Sequence, residues 1–558
     1  MVIKKLISGL VCAALIATSI PTALAVSNDA EAATTTTDVI VQKTEVSNPI
    51  LGTDNDGNLL YGGDPSIMVD GDTVYLYTGR DSSLKESYYM LEWQCYSTKD
   101  LKNWKNEGVV MKANKASISW ANTGTDAWAG QVCKYKNKYY FYYCTWDKTS
   151  AGQQSIGVAV SDSPTGPFTD KGEPLVKGTF TTDASEDGLT HSGGYSTWND
   201  IDPTVWIETD EAGVEHRYLN WGNGRNFTCE LNEDMITVKD INGDGKITFG
   251  TQKSGATSAT ADVIEMTAPK NFTEAPYLYR RQDENGKYYG PYYLFYAYSW
   301  REQMAYATMD ASNGLMNGTF KFGSVLMPPT ATSNTNHPAV FDFKGKTYFV
   351  YHNGSLPGGS GFRRTACITE LKFNENGSIQ SIPETTIGIT GDTPYTITSS
   401  YGELISHEAF DNDTADSSYP YKNIKIGLYG NTIANAADGQ WAILAGKADA
   451  SKANYVSIAS ENKPGLYFTA NADKSVTLAQ DSKYSSAAGK IVRDEATAKA
   501  QTFRTVAGLS DSNNAKAVSF ESVAYPGQFI TISANGYLEL TDGSNAADAT
   551  FLLSENTT

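Results

Sequence analysis

Residues 202–207 read DPTVWI: an acidic residue, a proline and then an apolar, β-branched run that is typical of a buried strand. A strand opened by a polar or acidic residue recurs in four other segments: DPSIMV at 64–69, DAWAGQV at 126–132, EAPYLY at 274–279 and HPAVFD at 337–342. Each segment is followed by a turn and a second strand rich in tyrosine, such as YKNKYYFYYC at 135–144. The region 45–395 is therefore predicted to be all-β.

The five segments recur at spacings of 62, 76, 72 and 63 residues, counted through Asp64, Asp126, Asp202, Glu274 and His337. These spacings exceed the roughly 40 to 50 residues of common propeller repeats, and they suit four-stranded blades with long loops. Five such units arranged radially form a five-bladed β-propeller, in which the first strand of each blade lines the central channel. Because the five residues open first strands, we expect their side chains to converge at one mouth of that channel.

Three of the strand-opening residues are acids near a proline: Asp64, Asp202 and Glu274. Glycoside hydrolysis requires one carboxylate that activates water or attacks directly, and one carboxylic acid that protonates the departing oxygen. A third carboxylate near that acid raises its pKa by like-charge repulsion. The alternative is that each acid is only a turn residue, since Asp-Pro favours turns. Three acids in register on separate blades favour a shared catalytic site.

The charge and the cysteines limit the classes of function. The chain has 558 residues and a formal net charge of -19. This charge argues against nucleic acid as a partner, because that affinity comes from Lys and Arg that neutralise phosphates. The five cysteines after residue 25 have neither the density of a disulfide scaffold nor metal-ligand spacing.

The N-terminus has the pattern of a secretory signal peptide. Residues 1–25 combine Lys4 and Lys5, an apolar run and a small-residue end, Ala-Leu-Ala. We expect cleavage after Ala25, with Ala-Glu-Ala at 30–32 as the alternative site. Residues 26–44 are then a linker, and the mature protein is expected to be secreted and extracellular. No later segment has the apolar length of a membrane span.

A second repeat begins after residue 395, where aromatic residues become fewer. YVSIASENKPGLYFT at 455–469 matches AVSFESVAYPGQFIT at 517–531 at an offset of 62, and ATFLL at 549–553 resembles a further copy of a repeated strand. Three related all-β units predict a β-trefoil-like domain over 396–558. We expect this domain to be a carbohydrate-binding module and not a catalytic one.

Together, the motifs GGDPS, DIDPTVW, FTEAPYLYRR, SIGVAVSDSPTGPF and NHPAVF resemble family 43 of the glycoside hydrolases. That family comprises five-bladed propellers that act as arabinofuranosidases, xylosidases and arabinanases, and the resemblance covers residues 45–395. It implies that Asp64 is the general base, that Asp202 tunes the pKa of the acid, and that Glu274 is the general acid. It also implies inversion in one displacement, which needs room for a water molecule between the carboxyl groups.

The resemblance also identifies groups that would contact a sugar. Trp128 matches the place of a similar aromatic residue in the family. Arg363 or Arg364, which follow the glycine-rich GSGF, match an arginine that lies against the bound sugar, with a surface ion pair as the alternative. Four other tryptophans fit core positions better than sugar platforms: Trp93, Trp146, Trp221 and Trp300.

Two places in the sequence are candidates for calcium, and no organic cofactor is expected. His337 matches a histidine that in many family members holds a calcium ion at the channel centre, usually through water; the alternative is a buried core histidine. DINGDGKITFGT at 240–251 has Asp240, Asn242 and Asp244 in the order of a calcium loop. Its twelfth position is Thr251 instead of glutamate, which favours a simple turn.

The repeats after residue 395 resemble the arabinose-binding trefoil modules of arabinofuranosidases. We therefore expect a monomeric, secreted glycosidase that removes α-L-arabinofuranosyl residues from arabinoxylan or arabinan. β-Xylosidase and endo-arabinanase activities of the same family are alternatives. A catalytically inactive propeller that binds carbohydrate is a third.

Overall fold

The computed structural model describes residues 36–53, 58–82, 86–122, 124–148, 153–177, 199–407, 424–428, 436–481 and 494–555. Within these ranges the chain is almost entirely β, as the alternating, tyrosine-rich sequence predicts. The helical elements among the described residues are short: α1 (Glu495–Ala500) and 3-10 turns at Gln252–Ser254, Ala311–Asn313 and Ala436–Gly439. None of the described helices has the length and apolar character needed to cross a bilayer.

The first three blades are built mainly of antiparallel strand pairs. Blade 1 contains β1 (Gly63–Asp70), β2 (Thr73–Asp81), β3 (Met90–Thr98) and β4 (Lys105–Lys112). Blade 2 contains β5 (Gly130–Tyr135), β6 (Lys138–Asp147), β7 (Gln153–Ser161) and β8 (Thr169–Asp170). Blade 3 contains β9 (Thr204–Thr209), β10 (Glu215–Trp221), β11 (Asn226–Glu230), β12 (Phe249–Thr251) and β13 (Val263–Met266), with β12 parallel to β13 at the outer edge.

Blades 4 and 5 follow the same plan. Blade 4 contains β14 (Phe272–Gln282), β15 (Tyr288–Tyr298), β16 (Gln303–Met309) and β17 (Lys321–Met327). Blade 5 contains β18 (Ala339–Phe343), β19 (Lys346–Asn353) and β20 (Thr365–Glu370). The five-bladed propeller predicted from the repeat is confirmed.

The first strands of the five blades stand in a closed ring around the axis. Strand β1 contacts β5, β5 contacts β9, β9 contacts β14, β14 contacts β18, and β18 contacts β1. Aromatic side chains of neighbouring blades fill the space between the sheets; Trp93 of blade 1 meets Phe141 of blade 2 edge-on at 5.3 Å. Residues that open the first strands are therefore brought to one end of the axis.

The N-terminal segment completes blade 5. The buried side chain of Asn48 accepts the N–H of Ile368 at 2.7 Å and donates to the carbonyl of Ile368 at 3.0 Å. The N–H of Ile50 donates to the carbonyl of Ala366 at 2.8 Å. Because these contacts lie along β20, they join the start of the chain to the last blade and close the propeller.

The C-terminal domain is a closed β-barrel. Its strands are β21 (Tyr395–Ser399), β22 (Ile405–His407), β23 (Ile424–Leu428), β24 (Gln440–Ala445), β25 (Tyr455–Ser460), β26 (Leu466–Ala470), β27 (Val476–Gln480), β28 (Phe503–Ala507), β29 (Ala517–Ser522), β30 (Phe529–Ile532), β31 (Leu538–Thr541) and β32 (Phe551–Glu555). Six of them pair in a ring, in the order β21, β24, β25, β28, β29, β32 and back to β21.

Three hairpins lie off this ring: β22 with β23, β26 with β27, and β30 with β31. A six-stranded ring with three hairpins is the topology of a β-trefoil, so the trefoil-like fold predicted from the repeat is confirmed. The 62-residue offset in the sequence relates β25 to β29, which occupy equivalent places in the ring.

The structure describes part of the predicted linker but none of the predicted signal peptide. The signal peptide predicted at 1–25 lies outside the described residues. The described part of the predicted linker, 26–44, packs on the C-terminal domain. The N–H of Val39 donates to the carbonyl of Thr505 at 3.1 Å, and the N–H of Thr44 donates to the carbonyl of Ile443 at 2.8 Å. These described linker residues therefore run along the C-terminal barrel.

Candidate active site

A pocket of about 300 Å³ lies at the mouth of the propeller axis. All three predicted acids line it, together with other residues, and every one of the five blades contributes. The lining residues are Asp64, Tyr88, Met90, Trp128, Ile201, Asp202, Asn223, Thr273, Glu274, Trp300, Glu302, Thr335 and Arg364. The sequence repeat and the ring of first strands thus produce a common site.

The backbone turns sharply where each acid enters its strand. Asp64, Asp202 and Ala275 all have left-handed backbone, with φ of 53°, 58° and 56°, and each precedes a proline. This conformation is costly for residues other than glycine and is held only by the surrounding structure. Ala275 occupies the position equivalent to the two aspartates, so Glu274 lies one residue earlier. The expectation that the three acids are in register is wrong for Glu274.

Asp202 supports the turn that carries Glu274. Its Oδ2 accepts the N–H of Ala275 at 2.8 Å, which links blade 3 to blade 4. Burial raises the pKa of Asp202 well above its usual range, and the charges of Glu274 and Asp64 raise it further. Asp202 therefore both orients the neighbouring strand entry and takes part in the shared titration of the acids.

Arg364 connects Asp64 to a second buried carboxylate, Asp81. Its Nη1 donates to Asp64 Oδ1 at 2.6 Å, while Nε and Nη2 donate to the two oxygens of Asp81 at 2.9 and 3.0 Å. The guanidinium lies directly on the backbone of Gly63: a Cβ at that position would be 2.1 Å from Arg364 Cζ. Glycine at position 63 therefore leaves the space that the cation occupies.

Asp64 is the carboxyl group of the pocket that stays ionised. Burial by itself would raise its pKa, but the charge of Arg364 and the hydrogen bond from its guanidinium outweigh burial and lower the pKa below its usual value. His352 is wholly buried, and its Nδ1 accepts the N–H of Asp64 at 3.2 Å. Its Nε2 therefore carries the proton and donates to Thr335 Oγ1 at 3.1 Å.

Glu274, unlike Asp64, favours the protonated form. Burial raises its pKa, and the nearby charge of Asp64 raises it further. The side-chain amide of Asn223 donates to Glu274 Oε2 at 2.6 Å and holds the carboxyl group toward the pocket. The site therefore contains one carboxyl group that favours the ionised form and another that favours the protonated form.

Glu302 is the fourth acid that lines the pocket, and sequence reasoning missed it. It hydrogen-bonds to Glu274, and its Oε2 accepts the N–H of Asn336 at 2.7 Å. Burial and then the charge of Glu274 raise the pKa of Glu302 well above its usual range. Glu302 thus holds the proton and donates it as a hydrogen bond to Glu274. It opens no first strand, so the repeat gave no signal for it.

Two tryptophans, Trp128 and Trp300, line the pocket, although Trp300 was predicted to be a core residue. Trp128 is almost completely buried and lines the pocket, while Trp93 and Trp221 are core residues as expected. Trp300 also lines the pocket but is 66% exposed, so its predicted core position is wrong. It follows Ser299, which has a left-handed backbone conformation (φ 57°).

The two candidate arginines, Arg363 and Arg364, have different places in the structure. Arg364 lies in the pocket, whereas Arg363 does not line it. Arg363 Nε donates to the carbonyl of Gly358 at 2.6 Å, and its Nη2 donates to Glu86 Oε1 at 2.7 Å. Arg363 therefore fastens the loop that precedes Arg364.

His337 lies beside Asp64 at the mouth of the axis. His337 is buried with Nδ1 4.0 Å from Asp64 Oδ1, and burial lowers its pKa to about 4. In the part of the chain that the structure describes, no group of three or more His, Cys, Asp or Glu side chains is placed to hold a metal. Calcium takes about six to eight oxygen ligands. A water-held calcium at His337 stays a proposal, and no step below passes through it.

The second calcium candidate, 240–251, forms an exposed turn. Asp240 accepts the N–H groups of Gly243 and Gly245 at 2.8 and 2.7 Å. Its carboxylate oxygens are thus used by the backbone of the turn itself, as expected for the turn alternative.

A larger groove of about 1250 Å³ lies between blades 3 and 4, at the end of β9 remote from Asp202. Three of its acids pair with basic side chains: Glu208 pairs with Arg280 at 2.7 Å, and His216 contacts both Asp210 and Glu230. The axial pocket, in contrast, combines converging acids with opposite proton preferences, so it is the better candidate for chemistry.

Two family profiles match the chain. The profile described as glycosyl hydrolases family 43 matches residues 47–379, and the profile described as the alpha-L-arabinofuranosidase B (ABFB) domain matches residues 469–557. All residues of the axial pocket fall within the first match.

Curated relatives and solved structures are similar to the same region. A xylosidase/arabinosidase of Bacteroides ovatus is 27% identical over 348 residues, covering 58% of this chain and 95% of that protein. An arabinoxylan arabinofuranohydrolase of Paenibacillus polymyxa is 28% identical over 423 residues, covering 70% of this chain and 59% of that protein. A solved α-L-arabinofuranosidase from Clostridium thermocellum is 29% identical, covering 59% of this chain and 95% of that one, with a TM-score of 0.43.

We predict that Gly63→Ala destabilises the protein, whereas Gly52→Ala does not. The added methyl at position 63 would overlap the Arg364 guanidinium, while nothing lies within 4 Å of a Cβ at position 52. The cost of such overpacking is about 1–3 kcal/mol in the free energy of unfolding. Thermal unfolding of the two variants, followed by fluorescence, measures the difference. Equal melting temperatures would show that Arg364 does not occupy the space above Gly63.

Proposed function

This chain belongs to family 43 of the glycosyl hydrolases, and from that premise we propose that it removes α-L-arabinofuranosyl residues from arabinoxylan or arabinan with inversion. The observation that carries the proposal is the opposite proton preference of Asp64 and Glu274 within one pocket of about 300 Å³. A pocket of this size accommodates a small ligand such as a single sugar ring. One site thus presents a base and an acid to the same glycosidic bond.

In the proposed reaction, Asp64 is the general base. Its carboxylate removes a proton from a water molecule as the water attacks the anomeric carbon. The guanidinium of Arg364 keeps the Asp64 carboxylate ionised. The backbone N–H of Asp64 donates a hydrogen bond to His352 Nδ1, which fixes the backbone at Asp64. A base with a lowered pKa remains available at mildly acidic pH.

Glu274 is the general acid. It donates its proton to the glycosidic oxygen as the bond to the sugar breaks, so the leaving group departs as a neutral alcohol. The side-chain amide of Asn223 orients the carboxyl group of Glu274. Asp202 accepts a hydrogen bond from the N–H of Ala275, the residue after Glu274. We therefore propose that Asp202 orients Glu274 and does not itself transfer the proton.

Support for arabinofuranosyl residues comes from the C-terminal domain. The arabinofuranosidase B domain match over 469–557 suggests a module that brings the enzyme to arabinose-bearing polysaccharide. β-Xylosidase activity is the second candidate, because the Bacteroides ovatus relative is described as a xylosidase/arabinosidase.

We also propose that the protein is secreted, on the basis of the sequence pattern at 1–25, and that it acts as a monomer.

Release of nitrophenol from nitrophenyl α-L-arabinofuranoside and nitrophenyl β-D-xyloside tests this proposal. We expect faster hydrolysis of the arabinofuranoside. A higher kcat/KM on the xyloside would favour the second candidate. No release from either glycoside, and none of sugar from polymeric arabinan, would contradict a catalytic role.

We predict that Glu274→Gln loses most of its activity on arabinoxylan but less on the nitrophenyl glycoside. An alcohol leaving group needs a proton, whereas nitrophenolate departs without one, and general acid catalysis contributes roughly 10²–10⁴-fold. Release of arabinose from the polymer and nitrophenol release measure the two losses, with the exposed Glu375→Gln as the control. Full activity on arabinoxylan would show that Glu274 is not the acid.

We predict that two changes at Glu302 have different effects on the pH profile. Glutamine retains a donor to Glu274, so Glu302→Gln should leave the basic limb of kcat/KM in place. Alanine removes the hydrogen bond that stabilises the Glu274 carboxylate, so the pKa of Glu274 rises. Because the acid must be protonated, Glu302→Ala should then move the basic limb to higher pH. A basic limb that moves to lower pH in Glu302→Gln would mean that Glu302 is normally ionised.

A further inference from the structure

The loop of blade 5 that carries Arg364 is held by the C-terminal domain. We define residues 354–364 as the glycine-rich loop, because four of the eleven are glycine. Gln480, the last residue of β27, donates from Nε2 to the carbonyls of Gly354 at 2.8 Å and Gly359 at 2.9 Å. The N–H of Gly358 donates to the carbonyl of Asp481 at 3.2 Å. The barrel therefore contacts the loop through three hydrogen bonds to its backbone.

The two backbones also meet directly beside these hydrogen bonds. Gly465, with φ of 86°, lies so close to Ser355 that a Cβ there would be 2.6 Å from Ser355 Cα. A side chain at this position would separate the barrel from the loop. The contact is thus built for close approach and is not an incidental meeting of two surfaces.

The other end of the same loop reaches the catalytic base. Gly358, which donates to the barrel, also accepts the bond from Arg363 Nε at 2.6 Å. The next residue, Arg364, forms the ion pair with Asp64 at 2.6 Å. A short covalent and hydrogen-bonded path therefore connects Gln480 and Asp481 of the barrel to Asp64 of the propeller.

We propose that the C-terminal domain is a positioning part of the active site, and that Gln480 is a positioning residue that keeps Arg364 on Asp64. The proposal rests on the proposed role of Asp64 as the base. A loop with four glycines has a large conformational entropy when it is not anchored. Its anchoring in the folded protein keeps the guanidinium in one place, and small displacements of such groups reduce catalysis strongly.

This role is separate from sugar binding by the barrel. A barrel that only binds polysaccharide would affect polymer hydrolysis and leave small glycosides unchanged. A barrel that anchors the glycine-rich loop affects hydrolysis of every substrate, because it acts on the base.

Gln480→Ala and Gln480→Met in the full-length chain test the proposal. Methionine keeps the volume of glutamine but lacks the donor, so it preserves packing if alanine does not. On nitrophenyl α-L-arabinofuranoside we expect kcat to fall about 5- to 20-fold, with little change in KM. We also expect the acidic limb of kcat/KM to move to higher pH, because Asp64 has a higher pKa without a fixed Arg364. Gln380→Ala, an exposed position in the propeller, is the matched control.

Trypsin provides a readout that does not depend on activity. Arg363 and Arg364 are buried, so cleavage after them requires release of the loop. We expect mass spectrometry to detect this cleavage sooner in both Gln480 variants than in the wild type. An unchanged acidic limb, or unchanged trypsin cleavage, in both variants would overturn the inference. A wild-type chain that hydrolyses neither nitrophenyl glycoside would overturn the proposed function first and this inference with it.

Discussion

The guanidinium of Arg364 lies on the backbone of Gly63 and joins Asp81 to Asp64. This contact connects the last blade to the first at the mouth of the axis, beside the place where the N-terminal segment closes the propeller. It is also the source of electrostatic asymmetry in the pocket. A buried ion pair is costly unless its hydrogen bonds are satisfied, and here both carboxylates receive donors from the same cation.

The chemistry of the pocket follows from the position of that cation. Burial raises the pKa of every carboxyl group in the pocket, so without a compensating charge all of them would hold protons. Asp64 receives the direct guanidinium bond and loses its proton, whereas burial raises the pKa values of Asp202, Glu274 and Glu302, and the charges of Asp64 and Glu274 add to this effect. One fixed cation among several acids is therefore enough to separate a base from an acid. The loop that holds the cation becomes as important to the site as the acids.

The sequence predicted the architecture better than the details of the site. The repeated strand openings were sufficient for the propeller and for placing Asp64, Asp202 and Glu274 at one mouth, because strand order and inward direction follow from periodicity. The one-residue offset of Glu274 depends on backbone dihedral angles at Ala275, which the motif does not reveal. Glu302 and His352 lie outside the repeated motif and are brought in by tertiary packing. The role of Gln480 depends on contacts between two domains, which no local pattern encodes.

The anomeric form of the first product tests the central claim most directly. If Asp64, held ionised by Arg364, acts on water and not on the sugar carbon, a single displacement inverts the anomeric centre. Proton NMR in the first minutes of hydrolysis of nitrophenyl α-L-arabinofuranoside should then show β-L-arabinofuranose before it equilibrates. Initial release of the α-anomer would contradict the account, because retention requires a covalent intermediate and hence a nucleophile in place of the base.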